Sequence, residues 1–267
     1  MHWLVGLPTF VLFVALLAVG FAVAAGLSWL SSRTIEDEVR TRTSTSVTTV
    51  IGVIAALYAV LVAFVVVNEW QTLNDANSHL SDEAAALTAV YYNASVLPQP
   101  ARGAIQAQTI AYVRAVVCSE LPYLADHDGP DPRSVRELQQ LFTTVAAAPP
   151  AATSSPFYSS VVNQLSYVAS ARRARVSSSS SGLPDVLLAV IIATSIVLVA
   201  ITSVLDTQHR RWHVVLMGAV TLLVALNLAL ILTLARPFDG AATVNDAPLR
   251  DGIPPALLAC DRSAPQQ

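Results

Sequence analysis

Four stretches of this chain carry apolar side chains over a length that water does not tolerate, and they constrain the fold more than anything else in it. The first is Val5–Leu30, 26 residues without a charge. At 1.5 Å per residue a helix of that length measures roughly 39 Å, against a bilayer hydrocarbon core of about 30 Å. The others are Val50–Val67, preceded by Thr48 and Thr49, then Leu187–Leu205 and Val214–Ala235. Each is near or above the roughly 18 residues of a spanning helix. The four tryptophans fall at the ends of these runs: Trp3 and Trp29 bracket the first, Trp70 closes the second, and Trp212 opens the fourth. Indole rings prefer the headgroup region, so all four read as membrane-interface anchors.

Composition agrees. The chain is 54% hydrophobic and 12% charged, and soluble domains carry about twice that charged share. The net charge is −3, with no basic excess to bind nucleic acid. The expected fold is therefore all-α: an integral membrane protein with four transmembrane helices and an extramembrane helical domain between the second and third. The expected divisions are 1–67 (spans 5–30 and 48–67), 68–185 (the helical domain), 186–235 (spans 187–205 and 214–235) and 236–267 (a C-terminal tail). A cleaved signal peptide is the weaker reading of the first run. The run has no preceding Lys or Arg and is about twice the usual length of a signal-peptide core.

The segment 68–185 reads as helical throughout. Leu73, Leu80, Leu87, Val90 and Tyr91 continue a helical spacing out of the second span, so that span is expected to leave the membrane as one long helix ending before Pro98 and Pro100. A second helix carries Ile105, Ile110, Val113, Val117 and Leu121, with a kink or stop predicted at Pro122. A turn-rich stretch, Asp126–Pro132, precedes a helix through Val135, Leu138, Leu141 and Val145. A last helix starts near Phe157 and is expected to end at Arg172, Arg173 and Arg175, with the serine run Ser177–Ser181 as a flexible joint.

Four spans put the helical domain and the tail on one face. The short connections Ser31–Thr49 and Asp206–His213, with Arg33, Arg40, Arg42, Arg210 and Arg211, lie on the other. Near the membrane on the domain side stand Arg172, Arg173, Arg175, Arg236 and Arg250, also five but spread over a much longer stretch, so the positive-inside rule leans slightly toward the short connections in the cytoplasm and the domain outside. Cys118 and Cys260 share the domain face, so a disulfide is topologically possible and would also favour outside. Two separate packed thiols are the expected state, since free Cys usually behaves as a small hydrophobe.

Much chemistry is missing. No run contains Asp, Glu, Lys, Arg or His, which argues against proton relays, voltage sensors and coupled-ion sites. No P-loop, GxSxG, HExxH or CxxC motif is present, so no enzyme, metal or cofactor is expected. His209 and His213 stand at i,i+4, but two ligands do not make a metal site. Glu36, Asp37 and Glu38 beside Arg33, Arg40 and Arg42 read as a solvated loop. Asp75, Asp82 and Glu83 read as the solvent face of the helix leaving span two, with the seven-residue Asp repeat lining an axial vestibule of an oligomer as the alternative. Within the spans, Gly20, Gly52 and Gly218 suit close helix approach, and Asn227 is a mid-span amide that should face protein or water.

Five strings in order resemble one family: Tyr58–Trp70 (YAVLVAFVVVNEW), Asp82–Leu87 (DEAAAL), Tyr112–Pro122 (YVRAVVCSELP), Ala171–Arg175 (ARRAR) and Arg236–Gly240 (RPFDG). Together they resemble the bacterial bestrophin-like membrane family, catalogued as a domain of unknown function. That pattern usually shows an acidic residue, Glu, Trp and Pro where this chain has Ser119, Glu120, Leu121 and Pro122. The resemblance implies kinship with bestrophins, pentameric anion channels with four spans and a cytoplasmic helical domain, the opposite side from the charge lean. It implies a multi-pass protein of the bacterial inner membrane, a homo-oligomer in the lipid bilayer, passing chloride or other small anions. The bestrophin neck is a set of large apolar residues on span two, and none of them is carried over to this chain. A channel here predicts that one face of span two, through Tyr58 and Phe64, points at a symmetry axis; with the mid-span amide Asn227 on span four these are the candidate pore-facing residues. A non-conducting scaffold or sensor, whose helical domain binds a partner, is the alternative.

Overall fold

The computed structural model describes residues 9–34, 37–127, 129–180, 184–204, 210–235, 244–253 and 260. Among them ten α-helices and one π-helical turn occur, and no strand. In chain order they are α1 (Thr9–Thr34), α2 (Asp37–Ser95), α3 (Ala101–Ala115), the π turn (Val116–Glu120), α4 (Leu121–Asp126), α5 (Pro132–Ala146), α6 (Pro150–Thr153), α7 (Pro156–Ser180), α8 (Asp185–Val204), α9 (Arg210–Leu234) and α10 (Ala247–Asp251). Among the described residues three helices are long and apolar enough to cross a membrane, in the segments Thr49–Ser95, Asp185–Thr202 and Val214–Leu234. The apolar stretch found in α1 is the shorter Phe13–Gly26.

The chain divides into two units: 1–70 with 183–235, and 71–182 with 236–267. In the first, α1 packs on α8 and α9, and α8 on α9. Tyr58, Val62 and Val65 of α2 join a core with Ile191, Leu198, Val199, Met217, Val224 and Ile231. Glycine permits the α1–α9 approach: a Cβ on Gly20 would stand 2.8 Å from Thr221 Cγ2, and one on Gly218 would touch the Phe21 ring at 3.8 Å. Gly52 faces open space and serves no such contact.

α2 is a single helix of 59 residues, roughly 88 Å long, and it runs through the second span without a break. It begins at Asp37, so most of the expected loop Ser31–Thr49 is helical, and it ends before Pro98 as its prolines require. Beyond Trp70 a row of buried positions runs Leu73, Ala76, Leu80, Glu83, Leu87, Val90 and Ala94, and Leu97 follows, with Ala84 and Ala86 buried beside it. The steps alternate between three and four residues, the spacing of a helix seam held against a partner surface.

The break predicted at Pro122 takes the form of the π turn. Proline lacks an N–H, and its ring collides with the carbonyl four residues back, here that of Cys118. Widening the preceding turn to π spacing absorbs the clash, and α4 restarts with the proline in its first turn. α5 starts with Pro132 at its first position and Asp131 as the cap, whose carboxylate accepts from the backbone N–H groups of Arg133 and Ser134 at 3.2 Å. The serine run is not a joint where it is described. α7 continues to Ser180, and the Ser178 hydroxyl donates back to the Ala174 carbonyl at 3.0 Å.

The two cysteines form a disulfide with a Cα separation of 5.6 Å, so the expectation of separate thiols is corrected. The α7 arginines are also corrected: Arg172 and Arg175 stand within the helix, not at its end, and both are buried.

Candidate functional site

Two features carry information about function: the uncovered face of α2 in the first unit and a buried charge cluster in the second.

Of the three spanning segments, the one on α2 is the least covered by the rest of the chain. Its exposed large apolar residues are Val50, Val53, Leu57, Val60, Phe64 and Val67. Here too the steps alternate three and four, so the six residues lie in one stripe. Phe64 is its most exposed member, at 73%. Tyr58 and Phe64, expected on a common face, are separated. Tyr58 is only 5% exposed, and the Ser195 hydroxyl on α8 donates to its phenol oxygen at 3.1 Å. Asn227 is half-buried and its amide donates to the Leu223 carbonyl of its own helix at 3.0 Å. That bond satisfies a donor that lipid could not. Trp70 is exposed at the end of the stripe. Trp3 lies outside the described residues, as do the side chains of Trp29 and Trp212. His209, Glu36 and Arg236–Gly240 also lie outside them, with the side chains of Arg33, Asp37, Glu38, Arg40, Arg42, Arg210, Arg211 and His213.

In the second unit Glu83 occupies one seam position of α2 and is wholly buried, whereas Asp75 and Asp82 are exposed. The solvent-face reading therefore fails for the glutamate. Arg175 on α7 reaches Glu83 through Nε at 2.8 Å and Glu120 on the π turn through Nη2 at 2.6 Å. Arg172, one turn earlier, donates to the other Glu120 oxygen at 2.5 Å and to Ser134 Oγ at 3.0 Å. The Tyr112 hydroxyl on α3 donates to Glu83 at 2.5 Å, and the Ser134 hydroxyl on α5 donates to Glu120 at 2.8 Å. Two carboxylates and two guanidiniums balance to zero, which lets the group lie without solvent.

Burial, followed by the adjacent Glu83 and Glu120 carboxylates, holds the Tyr112 phenol well above its ordinary range. For Arg175 burial works against the charge, but Glu83 and Glu120 outweigh it and the group is held more firmly protonated than usual. Glu83 and Glu120 are 0% exposed, so neither presents a carboxylate to a dissolved molecule. The cluster ties α2, α3, the π turn, α5 and α7 at one point. Sequence reasoning missed it, although a glutamate in an otherwise apolar three-four seam was a usable signal.

A bundle of apolar helices joined to a helical unit with a charged, neutral core defines a helical membrane-type protein. The comparisons sharpen this. A sequence model described as the Bestrophin-like domain matches residues 18–249, and the chain belongs to that family. It is also similar to the crystal structure of a bacterial bestrophin homologue from Klebsiella pneumoniae bearing a point mutation. The TM-score is 0.67 at 12% identity, with 90% of this chain and 98% of that chain covered. At that identity the likeness speaks for the fold. No curated protein matches.

Proposed function

We propose that this chain is a four-span protein of the bacterial inner membrane that assembles as a homo-oligomer around α2 and conducts small anions such as chloride. The observation carrying this reading is the stripe Val50–Val53–Leu57–Val60–Phe64–Val67, the uncovered face of the least covered spanning helix. A passive pore needs no ionisable group in the membrane; apolar constrictions and backbone dipoles suffice. The stripe supplies that kind of surface, with Phe64 as its largest side chain. The disulfide supports α8 and α9 as a pair of crossings within the four-span layout. Cys118 and Cys260 must share a face, so the chain between them crosses an even number of times, as α8 and α9 together allow. Membership of the Bestrophin-like family favours the same architecture.

The test is chloride efflux from liposomes carrying the purified protein. Efflux that scales with protein and changes at least several-fold in Phe64→Ala supports the channel. Folded protein that releases no chloride across a range of pH and calcium overturns it and favours a scaffold whose helical unit binds a partner.

A further inference from the structure

The disulfide joins Cys118 and Cys260 within the second unit. Cys118 lies in the π turn, two residues before the buried Glu120. The tail that brings Cys260 is pinned along α2. The Asn245 N–H donates to Asn77 Oδ1 at 2.9 Å, and Val244, Leu249 and Ile253 are buried. Gly252 lies so close to Thr88 that a Cβ there would fall 2.1 Å from its hydroxyl oxygen. Asn77 and Thr88 are about three turns apart, so residues 244–253 follow α2 in the direction of the chain, and Cys260 beyond them is bonded to Cys118. A bond prepared by that many contacts is part of the fold.

Protein disulfides of this kind persist in oxidising compartments, while cytosolic thiols are kept reduced. The arginines point the same way. The positive-inside rule is weighted by short connections, and both short connections are arginine-rich: Arg33, Arg40 and Arg42 in one, Arg210 and Arg211 in the other. The segment 68–185 is too long for its remote charges to hold it back, which leaves Arg172, Arg173 and Arg175 before α8 and Arg236 and Arg250 after α9 to weigh on that side. Two of its arginines near α8, Arg172 and Arg175, are bound in buried ion pairs.

We infer that the helical unit and the C-terminal tail face the oxidising side of the membrane, where Cys118 and Cys260 are joined, and that the two short arginine-rich connections face the cytoplasm. This rests on the four-span layout proposed above. It places the unit on the side opposite to the one the bestrophin resemblance implies. The bond forms by exchange with a disulfide-bearing thiol oxidase of that compartment. The two thiols together give up two protons and two electrons, the sulfur–sulfur bond closes, and the oxidase disulfide is reduced to two thiols.

The experiment labels full-length protein in intact spheroplasts with a membrane-impermeant maleimide. On a Cys118→Ser, Cys260→Ser background, one variant carries Arg136→Cys on the exposed side of α5 and another carries Thr41→Cys in the first short connection. Arg136→Cys should react fully in intact spheroplasts, and Thr41→Cys only after permeabilisation. In parallel, wild-type protein from acid-quenched cells should take up no maleimide before reduction and two after it, a readout that needs no variant to fold. The reverse labelling pattern overturns the sidedness and leaves four spans standing, as do two free thiols in the quenched wild type. Labelling of both variants from one side overturns the four-span layout, and this assignment with it.

Discussion

Replacing Arg175 with Met tests whether the buried cluster organises the helical unit. The methionine retains most of the aliphatic volume but removes the guanidinium that links Glu83 and Glu120 at 2.8 and 2.6 Å. Glu83 is then left with the Tyr112 hydroxyl, and Glu120 with Arg172 and Ser134, both carboxylates still fully buried. Removing one partner of a buried pair costs about 3–5 kcal/mol, because the remaining charge stays desolvated. Against a typical domain stability of about 5–15 kcal/mol this is a large share. Detergent-solubilised protein, heated and scored for the fraction still eluting at its native size, should lose its half-point about 10 °C earlier, at roughly 2–4 °C per kcal/mol. The double variant Glu83→Leu, Arg175→Met removes both charges and should lose at least about 1 kcal/mol less than the two single losses added together. An Arg175→Met protein within about 0.5 kcal/mol of wild type, the range of ordinary surface changes, would refute the argument. So would strict additivity in the cycle.

The remaining predictions are briefer. Tyr112 is held protonated in the folded state above its ordinary value of 10.0, so its contribution is complete below about pH 10 and declines as the pH rises further. A phenolate absorbance titration should show one tyrosine ionising only with unfolding, and Tyr112→Phe should remove that step. Gly20→Val forces a Cβ to 2.8 Å from Thr221 Cγ2 and should cost about 1–3 kcal/mol in heat stability, partly restored by Thr221→Ser. Gly252→Ala collides with the Thr88 hydroxyl, so the tail should become several-fold more sensitive to limited proteolysis, and Thr88→Ala should suppress the effect.

The sequence showed the elements better than the side-chain partnerships. Uncharged runs at Val50–Val67, Leu187–Leu205 and Val214–Ala235 announce spanning helices because the bilayer sets their length. Pro122 announced a break through its missing N–H. Glu83 was misplaced because three acidic residues were weighed as charges along a helix, when the seam through Leu80 and Leu87 already assigned Glu83 to the inside. Its partner Arg175 is 92 residues away, beyond the reach of any local pattern. The serine run was read by composition as a joint, whereas hydroxyls can return hydrogen bonds to the helix backbone. Phe64 and Tyr58 are six residues apart, so they fall on different sides of a helix with 3.6 residues per turn.

The span between Glu83 and Arg175 also sets a timetable. At roughly 5–20 residues per second on the ribosome, Arg175 is made about 5–20 seconds after Glu83, a separation of 92 residues. Through that interval the nascent chain carries a carboxylate in an apolar seam with no cation to receive it. Synthesis reaches Cys260 another 85 residues later, 142 beyond Cys118. A chain interrupted before Arg172 therefore cannot complete the charge balance. A finished chain buries these charges and joins its tail through Cys118 and Cys260.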